Sequence, residues 1–161
     1  MNKILYMSLT ASKFNKFIMF KLPSAWLCGV RVKSISERSS STTVKHKWIN
    51  QNPFNSMFWA VQGMAAELST GSMVINQIRQ SGHKISMLVA NNKASFTKKA
   101  SGRITFTCND GDKIANAIQN TIKTGEGQTF WMQSIGTNED GVVVSTFDFQ
   151  WTVKAKQNAK H

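Results

Sequence analysis

The stretch from Asn52 to Gln80 constrains this chain more than any other. Met57, Phe58, Trp59, Ala60, Val61, Met64, Ala65, Ala66, Leu68, Met73, Val74, Ile75 and Ile78 recur on every side of a helical wheel of about 3.6 residues per turn. A helix that is apolar all round is enclosed by the rest of its domain. Gln62, Gly63, Ser69, Gly71 and Ser72 interrupt the stretch, which therefore falls short of the ~20 predominantly apolar residues of a membrane span. Residues 52–80 are expected to form one central helix, entered through Asn52-Pro53 and Asn55-Ser56 and stopped by Ser81-Gly82. Its single acid, Glu67, demands a reason, because a buried carboxylate is costly unless it is paired or protonated.

Around this helix the chain alternates. Residues 1–23 interleave Ile4, Leu5, Leu9, Phe14, Phe17, Ile18 and Phe20 with Lys3, Lys13, Lys16 and Lys21, an amphipathic helix ending near Pro23. Lys13, Asn15 and Lys16 break the run that a signal peptide would need. Such a helix usually packs on its own domain; contact with an anionic membrane surface is the lesser alternative. From Val30 to Glu37 the pattern is extended, and after a serine turn Thr42, Val44, His46 and Trp48 fall on one face of a second strand. Beyond the central helix, Lys84 to Lys99 and Arg103 to Cys108 read as strands. Asn109-Asp-Gly-Asp112 then caps a short helix with Ile114, Ile118 and Ile122 at four-residue spacing, closed by Gly125. Gln128–Ile135 and Val142–Val153 form a final hairpin around Asn138-Glu-Asp-Gly141, and residues 154–161 read as a basic tail.

A length of 161 residues suits a single domain. Twenty Lys and Arg against eight acids give a formal charge of +12, which favours an anionic partner or substrate. Nucleic acid is disfavoured, because the aromatics fall on expected core faces and not among exposed basic residues. Cys28 and Cys108 have neither metal spacing nor a disulfide framework, and His46, His83 and His161 are scattered, so no metal site is expected and a reducing cytoplasm is the default location.

An apolar helix accompanied by about six strands, each apolar on one face, is solved by wrapping an antiparallel sheet around the helix, an α+β domain with an added N-terminal helix. This arrangement resembles the hotdog fold of acyl-CoA thioesterases. Many of these show an Asn, six residues later a His-Gly-Gly, and nine residues after the His an Asp or Glu on the helix. In this chain Asn52 is followed six residues on by Phe58-Trp59-Ala60, and Glu67 stands nine residues after Phe58. The segment from Ser56 to Leu68 is similar to a branch of that superfamily catalogued as a domain of unknown function, and the likeness of pattern runs from about Val30 to Lys154.

The resemblance implies an acyl-CoA or related acyl thioester as substrate, no cofactor, and a site assembled between subunits of a homodimer or tetramer. Glu67 would serve as general base or nucleophile, the Trp59 N–H as oxyanion donor, and Asn52 would orient water or the carbonyl, although capping alone accounts for Asn52. Met57, Phe58 and Met64 would line the acyl cavity with Trp59. Ser86, on the strand opposite the helix, would help orient water, and Lys98, Lys99 and Arg103 would meet the phosphates of coenzyme A. The missing His-Gly-Gly puts bulky rings where glycines allow close backbone approach. It leaves a noncatalytic protein holding an acyl chain or hydrophobic ligand as the alternative.

Overall fold

The computed structural model describes residues 9–156, so the expected helical residues before Leu9 and the end of the basic tail lie outside the described residues. Helix α1 (Ala11–Lys21) starts at Thr10, whose hydroxyl accepts a hydrogen bond from the Lys13 N–H. Phe14 and Ile18, four residues apart, are its buried side chains, and it packs on strand β1 (Arg31–Ile35). The Asn15 side chain exchanges two hydrogen bonds with the Val32 backbone, covering part of that strand's free edge. Pro23 opens a short helix α2 (Pro23–Leu27).

The remaining elements are β2 (Ser40–Lys45), α3 (Trp59–Ser81), β3 (Ile85–Phe96), β4 (Arg103–Cys108), α4 (Gly111–Thr124), β5 (Gln128–Thr137) and β6 (Val143–Ala155). The six strands form one antiparallel sheet in the order β1-β2-β4-β5-β6-β3. α3 packs against one face of the sheet, touching β2, β4, β5 and β6 in turn, and its Ala65, Ala66, Met73 and Val74 are fully enclosed. The sheet answers with Val44, Ile104, Phe106, Met132, Phe147 and Val153, all buried.

The polar breaks in the helix turn out to be its attachments. Ser69 Oγ lies 2.7 Å from Ser134 Oγ, Ser72 Oγ 3.0 Å from Ser40 Oγ, and Ser145 donates to Gln62 Oε1 at 2.8 Å. Thr42 donates to the Ala65 carbonyl, and the Trp151 indole donates to Thr70 Oγ1 at 2.9 Å. From Gln62 to Ser72 each turn of α3 is thereby bonded to a strand. Small hydroxyls let helix and sheet approach closely while each buried polar group keeps a partner.

Four expected boundaries are corrected. The central helix begins at Trp59 and not at Asn52, because Asn52–Ser56 closes into a loop of its own. β2 ends at Lys45, so His46 and Trp48 do not continue its inner face; Trp48–Asn50 is a 3-10 turn and Trp48 is 83% exposed. The buried Asn50 side chain makes that bend, accepting from the Lys47 N–H and donating to the Cys28 and Lys45 carbonyls. Asp110 occupies the N-cap position of α4 but its side chain makes no capping hydrogen bond, and instead pairs with Lys113 at 2.9 Å and accepts from the Gln133 N–H. Lys154 and Ala155 belong to β6, paired with Ser86 and Ile85, and are not part of a tail.

Candidate active site

The approach to α3 is built from backbone hydrogen bonds between distant segments. The Asn52 side-chain oxygen accepts from the Phe54 and Ser56 N–H groups, and Asn52 Nδ2 lies 3.0 Å from Ser56 Oγ. The next two amides go elsewhere: Met57 N–H donates to the Ala100 carbonyl at 2.8 Å, and Phe58 N–H to the Asn50 carbonyl at 2.9 Å. Helix geometry begins only where these partners run out. Phe58 occupies the N-cap position and has no side chain able to accept a hydrogen bond. Within the described residues, the Trp59 and Ala60 N–H groups consequently have no acceptor, whereas those of Val61 and Gln62 donate to the Phe58 carbonyl. An uncapped helix start of this kind favours negative charge through its free donors and its dipole.

These amides stand beside a cavity of about 550 Å³ lined by Asn52, Phe54, Met57, Phe58, Trp59, Gln62, Phe96, Lys98 and Lys99, among others. Met57 is buried, whereas Phe58 and Trp59 are half-exposed and meet edge to face with ring centroids 6.0 Å apart. Gln62, 4% exposed, is held by Ser145 and donates to the Met57 carbonyl at 3.3 Å. Lys99 Nζ donates to the Phe54 carbonyl at 3.3 Å. The lining is apolar with two cations at its rim, and it includes no acid.

Glu67 lies outside that cavity. Eight residues separate it from Trp59, roughly 12 Å along the helix axis at ~1.5 Å per residue. It shares a helix face with Gly63 and Gly71, at four-residue spacing, and that face looks at β6. A Cβ on Gly71 would stand 3.1 Å from the Trp151 ring and 3.2 Å from Glu67 Oε1, so glycine leaves room for both side chains beside it. Among the described residues no side chain forms an ion pair or hydrogen bond with the Glu67 carboxylate. Burial against this apolar wall raises its pKa to about 7.

The other expected site residues divide. Asn52, Met57, Phe58, Trp59, Lys98 and Lys99 come together around the one cavity. Asn52 has both side-chain polar atoms engaged by its own loop. Met64 packs against the core and is not part of the cavity wall. Ser86 donates to the Lys154 carbonyl at 3.1 Å, at the far end of the sheet beside Gly125 and Glu126. Arg103 opens into a different, smaller cavity with Arg31, Lys45 and Lys47. The sequence reading missed Phe54, Phe96, Gln62 and the Ala60 amide. Only Gln62, a polar residue inside the apolar stretch, carried a signal.

Residues 10–153 match the family described as a domain of unknown function, DUF4442, and the chain belongs to it. No curated protein matches it in sequence. Among solved structures it is similar to a protein of unknown function from Pseudomonas aeruginosa (17% identity, TM-score 0.78, covering 94% of this chain and 99% of that one). A protein of unknown function from Chlorobaculum tepidum is comparable (18%, TM-score 0.78, 92% and 99%). So is a thioesterase from Haemophilus influenzae (13%, TM-score 0.73, 98% and 99%). The fold is therefore the hotdog fold, carried here by a member of a domain-of-unknown-function family.

Proposed function

We propose that this protein hydrolyses an acyl thioester, with acyl-CoA as the substrate class. The observation that carries the reading is the unpartnered Glu67 carboxylate, its pKa raised to about 7, on the helix whose uncapped start offers two free amides. The thioester carbonyl would sit at the Trp59 and Ala60 N–H groups, its acyl chain among Phe54, Met57 and Phe96. Glu67, acting as base, takes a proton from water; the resulting oxygen nucleophile adds to the carbonyl carbon and the amides hold the oxyanion. Collapse expels the thiolate, which takes the proton back from Glu67. Direct attack by the carboxylate, followed by hydrolysis of the anhydride, uses the same groups.

Glu67 and the amides of one chain are too far apart to act on one carbonyl. The site therefore needs a second copy, placing Glu67 of one protomer opposite the α3 start of its partner. β3 supplies the surface: a 12-residue edge strand with Leu88 66% and Phe96 49% exposed, and free backbone groups along its outer side. Cys28 and Cys108 are free thiols, in keeping with a cytoplasmic setting. No helix among the described residues is long and apolar enough to cross a membrane.

The test is turnover of a panel of acyl-CoAs by wild type and Glu67→Gln. Hydrolysis rising with pH through about 7 and lost in the variant supports the reading; unchanged turnover removes Glu67 from it. A second reading, a noncatalytic binder of an acyl chain, draws on the separation of Glu67 from the apolar cavity within one chain. Its mark would be ligand retained through purification with no thioester turned over.

A further inference from the structure

On the face of the sheet away from α3, four cations converge on a second cavity of about 210 Å³, lined by Gly29, Arg31, Lys45, Lys47 and Arg103. Lys45 and Arg103 are directly opposite each other in the β2–β4 ladder. Like charges in that position repel, and a strand pair selected for stability alone would not keep them. No acid lines the cavity, and none of the four forms an ion pair with a described residue. The Glu139 carboxylate, which accepts from the Arg103 backbone N–H at 3.3 Å, stays outside.

The cluster is held in place. Arg31 Nη1 donates to the Trp26 and Val30 carbonyls at 2.9 and 2.7 Å, and its guanidinium stacks 3.3 Å above the Trp26 ring. Its remaining N–H groups are left without a described acceptor. Asn50, 2% exposed, ties the two walls together by bonding Lys45 and Lys47 on one side and Cys28 on the other. The turn so formed projects the Trp48 ring, 83% exposed, directly after Lys47. A fixed guanidinium, three further cations without ion-pair partners and an exposed indole next to Lys47 in the chain match the parts of a nucleotide: charge for phosphate, a flat ring for a base.

We propose that Arg31, Lys45, Lys47 and Arg103 form a binding site for the diphosphate of a nucleotide-type ligand. Where the thioesterase reading holds, and this extension rests on it, the ligand is the nucleotide end of coenzyme A. The acyl cavity reaches Ala100 and the cation cavity starts at Arg103, so one extended thioester could occupy both.

Calorimetric titration of the full chain with inorganic pyrophosphate, ADP and coenzyme A tests the site without any turnover. Binding of all three, weakened at least tenfold in Lys45→Gln/Arg103→Gln and unaffected in the equally charged Lys84→Gln/Lys123→Gln, is expected. Coenzyme A binding no tighter than ADP would confine the site to free nucleotides and overturn the extension alone. Glu67→Gln should bind as wild type does, which separates failure of this site from failure of the hydrolase reading. Without ligand at low salt, Lys45→Gln/Arg103→Gln should melt at a higher temperature than wild type, because the cross-strand repulsion is relieved. Equal loss of binding in both double variants, no binding of pyrophosphate by wild type, or a lower melting temperature would overturn the proposal.

Discussion

Replacing Glu67 by Gln should stabilise the protein, and by an amount that depends on pH. Burial raises the Glu67 pKa from 4.5 to about 7, so the folded state holds its proton more tightly than the unfolded chain does. The stability this contributes is complete below the unfolded pKa and is lost as pH rises through about 7. At ~1.4 kcal/mol per pKa unit the full difference is about 3 kcal/mol, and partial contact with solvent reduces it to roughly 2 kcal/mol. Gln keeps the shape without the charge. Its advantage over wild type should therefore be about 0.5 kcal/mol at pH 5 and grow by about 1.5 kcal/mol by pH 8, a relative gain of roughly 3–6 °C in melting temperature for a chain of this size. Thermal unfolding followed by circular dichroism at the two pH values measures it. A variant less stable than wild type at pH 8, or an advantage that does not change with pH, would show that the carboxylate is paired and refute the burial argument.

Three further outcomes follow from the same geometry. Trp59→Pro deletes one oxyanion donor at the first helical position, where proline is tolerated, and Phe58 at φ −61° and ψ 134° already has the conformation required before proline. In acyl-CoA hydrolysis it should lower kcat by about 10²–10³ relative to Trp59→Ala, which keeps the amide, with both variants folded by circular dichroism. Ser69→Ala strands the buried Ser134 hydroxyl and should cost about 1–3 kcal/mol in denaturant unfolding, and Ser69→Ala/Ser134→Ala should cost less than the two single changes added together. Light scattering should give at least twice the 18.0 kDa chain mass, with specific activity falling on dilution below the dissociation constant; an active monomer would refute the shared site.

The sequence by itself determined the framework. Alternation along Arg103–Cys108 and Val142–Val153 marked strands with one buried face, and the apolar stretch before Gly82 marked the helix they enclose, because side-chain periodicity is local and survives any tertiary arrangement. It also singled out Glu67, a lone acid where burial is dictated by every neighbour. Tertiary structure decided what local pattern could not. Asn52 and Ser56 are good caps, yet α3 starts at Trp59 because Asn50 and Ala100, brought near by the sheet, capture the Phe58 and Met57 amides. Trp48 continues the period of β2 but is turned into solvent by hydrogen bonds from the buried Asn50. The serines of α3 read as interruptions until Ser40 and Ser134 are seen opposite them. Arg31, Lys45 and Arg103 are ordinary exposed-face residues of three separate strands, and only the β1-β2-β4 order brings them around one cavity. Ala100, Ser40, Ser134 and the strands that gather the cations lie far away in the chain from the residues they act on, so their hydrogen bonds and charges have no signature in the residues next to them.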